Sequence, residues 1–396
     1  MIIAQLILWL ALLGLLSSAV FLLLVLAGAL QFRSFQKKVG SCPTNEFPPV
    51  SVLKPLHGLE PRLRENIESF FQQDYPNYEI LFAVDTDADA ALEVVREVSS
   101  RYPHIRCRTL VNGLPPWPNP PAYSFQCMSA VAEHDILVTS DSDVEVAPNY
   151  LREVVFPLLD PKIGMVTCIY RGKNAGGFWS GMDAIGMSVE MTAGVLVANL
   201  FEGIKFGLGP TIAVRKDSLA KIGGYAAIGH HFSNDFAIGN LIDRAGYQVV
   251  VSKHIIDHVV PPMTFRRMWE RQVRWATGTR YSRPKGHFGT VFIFAMPYGI
   301  LAFLAASLLG HVGLGLSLLA IAVFNRIVEA LAVGWGVVRD PVARKKPWLY
   351  PIRDLLGFFV WCASYLRRQA VWRDGRYRLI AGGRIELREN YSERAR

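Results

Sequence analysis

The sequence predicts an α/β domain with a mostly parallel central sheet, joined to transmembrane helices. Segments typical of buried strands alternate with helical segments over residues 50–141, which is the pattern of a parallel sheet covered on both faces. Residues 1–32 contain no Asp, Glu, Lys, Arg or His. Hydrophobic residues make up 51% of the 396 positions, which is too apolar for an ordinary soluble protein.

The first 32 residues are long enough to cross a bilayer as one helix. Met1–Gln5 carries no positive side chain, and the apolar run continues beyond the length of a signal-peptide core. We therefore expect an uncleaved N-terminal anchor over residues 1–32. The proline-containing residues 33–49 are predicted to form a linker to the α/β domain.

A second block without acidic or basic residues other than histidine runs from Gly286 to Asn325 and is too long for one span. Gly310 and His311 divide it, so residues 286–338 are predicted to hold two transmembrane helices. Arg326 and Glu329 lie three positions apart and are expected to pair on one helix face. Residues 349–366 are apolar but short, and are predicted to form an interfacial or re-entrant segment within a basic tail, 339–396.

Basic residues cluster beside each predicted span, and the positive-inside rule places these clusters in the cytoplasm. Residues 50–285 are then a cytoplasmic domain of an integral membrane protein, and a bacterial inner membrane is the expected location. The basic residues behind the net charge of +9 cluster beside the apolar spans, where they would contact anionic lipid headgroups. No nucleic-acid partner is therefore expected. Five cysteines without a C-x-x-C pair predict free thiols in a reducing compartment. The oligomeric state is left open.

The α/β domain is predicted to begin with four strands and three helices. The strands are expected at 50–53, 79–84, 105–111 and 136–139, and the helices at 61–73, 88–101 and 123–133. No G-x-G-x-x-G follows the first strand and no G-x-x-x-x-G-K is present. A dinucleotide oxidoreductase and a P-loop nucleotide site are therefore not expected.

Asp141 and Asp143 follow the apolar run Ile136–Thr139 directly. Two carboxylates at the carboxyl end of a buried strand could hold one divalent cation such as Mg²⁺ or Mn²⁺, and a surface turn is the alternative. Asp85 closes an earlier strand at the same edge of the sheet, where it could contact a nucleotide or cap the next helix.

Asp235 opens a helical pattern that ends at Gly246. It could act as a catalytic base or merely complement the helix dipole. Arg271, Arg274 and Trp275 lie in a basic amphipathic segment, 264–279, which is typical of an interfacial helix and is also compatible with a phosphate-binding role.

These residues together resemble a known series. Asp85, Asp141-Ser142-Asp143, Asp235 and Arg271-x-x-Arg274-Trp275 follow the order and rough spacing of D, D-x-D, D, (Q/R)-x-x-R-W. That series marks membrane-bound inverting glycosyltransferases of the family 2 and 21 type, which have a GT-A fold. V-S-V-L-K-P-L-H-G at 50–58 and Q-D-Y-P at 73–76 resemble, more narrowly, the ceramide glucosyltransferase family, which includes bacterial hopanoid glycosyltransferases.

The resemblance implies a single displacement at the anomeric carbon of a UDP-sugar. Asp85, Asp141, Arg271, Arg274 and Trp275 would contact the donor or the mouth of the acceptor site. Asp141 and Asp143 would hold Mg²⁺ or Mn²⁺.

Asp235 would remove the proton from the acceptor hydroxyl. Two positions depart from the family pattern. Pro121 stands where N-P-K has its lysine, and Asn234 precedes Asp235 where an acidic residue is usual.

The expected activity is transfer of glucose from UDP-glucose to a hydroxyl group of a lipid at the cytoplasmic membrane face. The expected lipid is ceramide. One alternative is UDP-N-acetylglucosamine-dependent transfer to a hopanoid such as bacteriohopanetetrol. The others are a processive polysaccharide synthase, which usually needs more spans, and a non-catalytic lipid-binding membrane protein, which would have little need for four carboxylates in this pattern.

Overall fold

A computed structural model of the chain describes residues 1–38, 47–372 and 375–390. Within these ranges the strands are β1 Val50–Pro55, β2 Tyr78–Val84, β3 Arg106–Val111, β4 Ile136–Ser140, β5 Val144–Glu145, β6 Ile163–Thr167, β7 Tyr170–Asn174, β8 Thr211–Arg215, β9 Gln248–Val251, β10 Ile256–Val260, β11 Gln369–Trp372, β12 Gly375–Ile380 and β13 Arg384–Asn390.

The helices are α1 Ile2–Lys38, α2 Leu63–Phe71, α3 Ala91–Ser100, α4 Pro120–Val131, α5 Tyr150–Val155, α6 Phe178–Gly186, α7 Thr192–Glu202, α8 Lys216–Lys221, α9 Asn234–Arg244, α10 Phe265–Ser282, α11 Pro284–Gly289, α12 Met296–Leu308, α13 Val312–Glu329, α14 Pro341–Lys345 and α15 Leu349–Leu366. Shorter turns link some of them. A π turn, Met187–Met191, joins α6 to α7, and a 3₁₀ turn, Thr290–Ile293, precedes α12.

The central sheet has seven strands in the order β3-β2-β1-β4-β8-β6-β9. Strand β8 runs antiparallel to β4 and β6, and the other neighbouring pairs are parallel. Every residue of β1, β2 and β4 is buried, as expected for parallel strands covered on both faces. The predicted fold class is confirmed, and the four predicted strands correspond to β1, β2, β3 and β4 within a residue or two.

The pairing of β1 with both β2 and β4 brings the carboxyl ends of these strands to one edge of the sheet. The chain leaves β4 at Asp141 and β2 at Asp85. A small second sheet, in the order β5-β10-β7, continues from this edge. Because β5 starts immediately after Asp143, its pairing with β10 fixes the position of the Asp141–Asp143 turn.

Three helical segments are long and apolar enough to cross a membrane among the described residues: Ile2–Gln36, Phe178–Glu202 and Val312–Trp335. A fourth candidate is the pair Pro284–Ile293 and Met296–Leu308, which is bent by 47°. Helix α1 continues to Lys38, so the start of the predicted 33–49 linker is helical, and residues 39–46 of that linker lie outside the described ranges. The segment Phe178–Glu202 falls inside the domain expected to be cytoplasmic and was not predicted from the sequence.

A buried ionic cluster joins the apolar helices. Arg326 Nη1 lies 2.9 Å from Glu329 Oε2, which confirms the predicted pair, and 3.3 Å from Asp354 Oδ1 on α15. The Oγ of Ser18 on α1 accepts a hydrogen bond from Arg326 Nη2 at 3.0 Å. The second carboxylate oxygen of Asp354 accepts hydrogen bonds from the backbone N–H groups at residues 295 and 296. Asp354 therefore satisfies free amides at the start of α12, where the chain bends.

The strands β11, β12 and β13 form an antiparallel sheet that the sequence analysis had assigned to a basic tail. Its apolar face, formed by Tyr377, Leu379 and Ile385, packs against Phe232 and Tyr281. Backbone hydrogen bonds from Phe232 N to Gly383 O and from Ile385 N to His230 O, both 2.8 Å long, attach the sheet to the loop before α9. Residues 373–374 and 391–396 of the predicted tail lie outside the described part of the chain.

Candidate active site

A cavity of about 860 Å³ opens at the carboxyl edge of the central sheet. Its wall contains the sheet-edge carboxylates Asp141 and Asp143 and the start of α9 with Asp235. It continues past α10 to residues of the Phe178–Glu202 segment and of α15, among them Glu190, Arg353 and Trp361. One cavity therefore connects the polar edge of the sheet with helices that are candidate membrane spans or pack against them.

Asp141 is held through its backbone by a buried lysine. Lys54, on β1, is fully buried, and its Nζ donates a hydrogen bond to the carbonyl oxygen of Asp141 at 2.7 Å. The same Nζ lies 3.7 Å from the centre of the Phe70 ring. Burial lowers the pKa of Lys54 to about 7, although Asp141 and Asp143 oppose that shift. Lys54 belongs to the 50–58 motif, but its contact with the Asp141–Asp143 turn was not predicted from the sequence.

The two carboxylates of the turn differ in protonation. Burial, together with the neighbouring charge of Asp143, raises the pKa of Asp141 to about 7. Burial acts in the same direction on Asp143, but the charge and hydrogen bond of His258 outweigh it and lower the pKa of Asp143. Asp143 is therefore the carboxylate that keeps its negative charge.

His258 completes this group, and the sequence analysis did not select it. It lies on β10 opposite Val144, and its Nε2 is 3.2 Å from Asp143 Oδ2. Nη2 of Arg271 lies 3.1 Å from the same Nε2. A single histidine in the apolar strand Ile256–Val260 carries no local signal for a site, because such histidines commonly occur in cores; only the β5–β10 pairing brings it to Asp143.

The donor set fits a divalent cation in its chemistry. Asp143 Oδ1 and His258 Nδ1 are buried without a hydrogen-bond partner among the described residues. Carboxylate oxygens and an imidazole nitrogen suit Mn²⁺, and carboxylates alone suit Mg²⁺. No group of three or more His, Cys, Asp or Glu side chains in the described ranges is arranged to hold a metal by itself. A cation held by the carboxylates of Asp141 and Asp143 would therefore take further ligands from a bound diphosphate.

Asp235 lies in the first turn of α9 and faces the cavity. Its Oδ1 accepts a hydrogen bond from Phe236 N at 2.8 Å, so the carboxylate complements the helix N-terminus, as one of the two sequence interpretations expects; the other, a role as catalytic base, stays a prediction. A Cβ at Gly209 would lie 3.2 Å from Asp235 Oδ2, so a glycine at this position lets the backbone approach closely. Burial raises the pKa of Asp235, although backbone N–H groups oppose the shift. The raised pKa makes this carboxylate a stronger base than an ordinary aspartate.

Helix α10 places the R-x-x-R-W residues along one wall of the cavity. Thr264 caps the helix by accepting a hydrogen bond from Arg267 N at 3.4 Å. The Arg271 guanidinium lies 4.4 Å from the centre of the Trp275 ring, and its Nε is 3.6 Å from the buried Asp183. Burial lowers the pKa of Arg274 to about 10, so this guanidinium is still charged at neutral pH.

Asp85 does not line the cavity. Its Oδ2 lies 3.7 Å from Nδ1 of His57, which does line it. The alternative interpretation of Asp85 as a helix cap is wrong, because α3 begins at Ala91 and Asp89 Oδ1 accepts the hydrogen bond from Ala91 N. The structure therefore places Asp85 beside the cavity and behind His57.

The loop that departs from the family pattern lies in the cavity wall at Pro121. Asn119 caps α4 by accepting a hydrogen bond from Ala122 N at 3.1 Å, and its Nδ2 donates to the carbonyl oxygen of His231. This asparagine ties the loop to the segment that precedes Asp235. Proline at 121 presents no donor group to the cavity.

Comparison with known proteins agrees with these features. The model of the family described as glycosyl transferase family 21 matches residues 10–385. The chain belongs to this family. Ceramide glucosyltransferase 1 of Caenorhabditis elegans is 25% identical to the family 21 chain over 378 residues, which cover 94% of this chain and 80% of the nematode protein. Ceramide glucosyltransferase 3 of the same organism is 23% identical over 351 residues, covering 86% and 75%. The protein is thus a membrane glycosyltransferase, as the sequence predicted.

Among solved structures, the mannosyltransferase PcManGT from Pyrobaculum calidifontis, in complex with GDP-Man and Mn²⁺, is similar in fold to the family 21 chain. The TM-score is 0.52 at 17% sequence identity, and the match covers 90% of this chain and 99% of that one. The GT-A fold predicted from the motif series is confirmed.

Proposed function

We propose that this family 21 enzyme transfers glucose from UDP-glucose to the primary hydroxyl of ceramide, with inversion to a β linkage, at the cytoplasmic face of a bacterial inner membrane. The observation that carries the proposal is the continuous cavity, which joins Asp143 and Asp235 to the apolar helices. A water-soluble donor can enter at the sheet edge while a lipid acceptor keeps its tails among the helices. The named ceramide glucosyltransferases among its relatives support this choice of donor and acceptor.

In the proposed reaction, Asp235 accepts the proton of the acceptor hydroxyl as that oxygen attacks the anomeric carbon. The new C–O bond forms on the face opposite the departing UDP, and the bond between the anomeric carbon and the diphosphate oxygen breaks. The raised pKa of Asp235 suits it to this proton transfer. Because the attack and the departure occur on opposite faces of the sugar, a single displacement inverts the configuration.

Donor binding is assigned to the opposite side of the cavity. Arg271 and Arg274 bind the diphosphate, because planar guanidinium groups match phosphate oxygens. Asp141 and Asp143 would hold a Mg²⁺ or Mn²⁺ ion, which when bound supplies Lewis-acid stabilisation of the negative charge on the leaving UDP. Trp275 fixes the orientation of Arg271 through the contact of their side chains. Asp85 acts on the nucleotide through His57.

The proposed membrane orientation is supported by the positions of the basic residues. Clusters of Lys and Arg follow the first apolar segment and flank the 286–338 segment. These clusters belong in the cytoplasm, so the sheet, the cavity mouth and the donor site lie there as well. Selective protease digestion of sealed inverted and right-side-out vesicles would test this orientation: cleavage of the β-sheet domain is expected only when the cytoplasmic face is outside.

The test of the activity uses the full chain in detergent with Mg²⁺ or Mn²⁺. UDP-glucose, UDP-galactose and UDP-N-acetylglucosamine are each paired with ceramide and with bacteriohopanetetrol, and products are identified by mass. The expected product is ceramide carrying one hexose from UDP-glucose. An N-acetylhexosaminyl hopanoid would replace the proposed donor and acceptor, and products with many sugars would indicate a processive synthase.

A pair of variants on the same helix tests the base. Asp235→Asn keeps the shape of the side chain and is expected to lower turnover by roughly 10²–10⁴-fold, because the proton acceptor is lost. Asp243→Asn, on the same helix but not in the cavity wall, is the matched control and should turn over normally. Equal turnover in the two variants would show that Asp235 is not the base.

A further inference from the structure

A polar cluster lies where the cavity meets α15 and the Phe178–Glu202 segment, among otherwise apolar helices. Arg353 of α15 and Glu190 of the Phe178–Glu202 segment form an ion pair, with Nη2 of Arg353 2.8 Å from Glu190 Oε2. The same Nη2 donates a hydrogen bond to Gln272 Oε1 at 2.8 Å. All three side chains line the cavity. Neither Arg353 nor Glu190 belongs to the motif series that the sequence analysis identified.

Arg353 has hydrogen-bonding capacity that the described residues leave unused. The residue is 3% exposed, and its Nε and Nη1 are buried without a hydrogen-bond partner in the described ranges. A buried guanidinium with free N–H groups is costly, so an acceptor is expected to occupy that space. Gly186 lets the guanidinium pack directly against the helix backbone, because a Cβ at this position would lie 2.3 Å from Arg353 Nε.

The charges of the cluster are balanced, which limits the ligand. Glu190 pairs with Arg353, and the buried Asp183 lies beside Arg271. The Arg353–Glu190 pair is therefore neutral, with no positive charge left over for an anionic group at this part of the cavity. A neutral ligand satisfies the cluster if it offers a carbonyl or hydroxyl oxygen to Arg353 and an O–H or N–H donor to Glu190.

The cluster is also connected to the proposed site of chemistry. Gln272 Nε2 donates a hydrogen bond to Asp183, which lies next to Arg271, and Arg271 in turn lies next to His258 and Asp143. A head group bound by Arg353 would thus be connected through side-chain contacts to Arg271 in the donor site. Such a connection suits residues that position the acceptor relative to the donor.

We propose that Arg353, Glu190 and Gln272 form the binding site for the head group of a neutral lipid acceptor that carries an amide or hydroxyl beside the reactive hydroxyl. The inference rests on the proposed function, since it places a lipid acceptor in the cavity. Arg353 hydrogen-bonds the carbonyl or hydroxyl oxygen, and Glu190 accepts from the adjacent O–H or N–H. These are positioning residues for the acceptor.

The test measures binding and activity separately on the full chain in detergent. Arg353→Lys keeps the positive charge opposite Glu190 but removes the planar donor fork. It is expected to weaken binding of short-chain ceramide by about tenfold or more, measured by titration calorimetry, and to leave UDP binding within about twofold of the unchanged protein. Arg344→Lys, at an exposed arginine outside the cavity wall, is the control and should change neither value.

A second variant keeps the test decisive if Arg353→Lys does not fold. Glu190→Gln removes the charge of the acceptor group at nearly constant shape and should weaken ceramide binding by about fivefold. Unchanged ceramide binding in the folded variants would overturn the proposal, and so would an equal loss of ceramide and UDP binding. Tighter binding of short-chain phosphatidate than of ceramide would overturn the neutral head-group assignment.

Two further outcomes separate this inference from the proposed function. Ceramide binding that depends on Arg353 without any sugar transfer would contradict the proposed reaction and support the head-group site. Sugar transfer to ceramide with an acceptor KM that Arg353→Lys and Glu190→Gln leave unchanged would support the reaction and overturn the site.

Discussion

Replacement of Arg326 by methionine is expected to destabilise the protein by about 3–5 kcal/mol, because two buried carboxylates lose their counter-charge. Arg326 is 1% exposed, and its Nη1 lies 2.9 Å from Glu329 Oε2 and 3.3 Å from Asp354 Oδ1. Methionine preserves most of the apolar stem, so the packing around position 326 changes little. The measured loss should therefore report the charge and not a cavity.

The expected size follows from these distances. At an effective dielectric constant of about 20, unit charges 2.9 and 3.3 Å apart attract by roughly 6 and 5 kcal/mol. Desolvation of three ionic groups offsets most of that attraction in the intact cluster, and the part that belongs to Glu329 and Asp354 is not recovered when only Arg326 is removed. Glu329 and Asp354 then remain buried and repel each other, which gives the net loss of about 3–5 kcal/mol.

A second substitution tests this reasoning. Adding Glu329→Gln to Arg326→Met should recover about 1–3 kcal/mol, because it removes an uncompensated charge. Glutamine Oε1 can still accept the hydrogen bond that Tyr350 donates to Glu329 at 3.1 Å. Reversible unfolding in mixed detergent micelles gives the free energies, with Arg344→Met as the exposed-arginine control. A double variant less stable than Arg326→Met alone would refute the explanation.

Three further predictions concern the site and the sheet domain. Burial raises the pKa of Asp235, so the deprotonated base is lost as pH falls through a value above the ordinary pKa of about 4, and kcat/KM should fall on that acid limb. The residual rate of Asp235→Asn should lack the limb. A pH profile identical to that of the unchanged protein would contradict the assignment. Asp143→Ala should weaken Mn²⁺-dependent UDP binding by about tenfold or more, measured by titration calorimetry, whereas the exposed Asp160→Ala should not. Burial lowers the pKa of His254 from 6.5 to about 4, so only the unfolded chain takes up this proton between those values. The free energy of unfolding should therefore decrease as pH falls through that window, by up to about 1.4 kcal/mol per pH unit, and His254→Leu should flatten the slope measured by denaturant titration.

The first half of the α/β domain could be predicted because its strands are buried on both faces. Such strands appear in the sequence as continuous apolar runs, and Ile136–Thr139 is an example that ends directly at Asp141. The segment Phe178–Glu202 escaped prediction because Asp183 and Glu190 interrupt it. Both carboxylates are compensated by arginines that are distant in the sequence, Arg271 and Arg353.

The candidate site residues also divide into those that could be predicted from the sequence and those that could not. Asp141, Asp143, Asp235, Arg271 and Arg274 could be selected because each belongs to a spaced motif, and the structure brings them to one cavity. Lys54 and His258 could not be selected as site residues from the sequence, since each reaches the site through a strand pairing that joins distant segments. Neither β1–β4 nor β5–β10 pairing is visible in the residues near either side chain.

The sheet at residues 369–390 did carry a local signal. Tyr377 and Leu379 are buried, whereas Arg376 and Arg378, which alternate with them, are more exposed, which is the pattern of a strand with one buried face. The abundance of arginine indicated a basic tail instead. Burial of one face against Phe232 and Tyr281 outweighed that composition.

The attachment of this sheet to the loop before α9 bears on when activity begins during synthesis. Gly383 and Ile385 are joined by hydrogen bonds to Phe232 and His230, a few residues before Asp235, although they are translated some 150 residues later. The loop is therefore fully supported only after the ribosome has released the helices between them. A nascent chain that ends before residue 383 would contain all four carboxylates of the motif series but would lack these two hydrogen bonds beside Asp235.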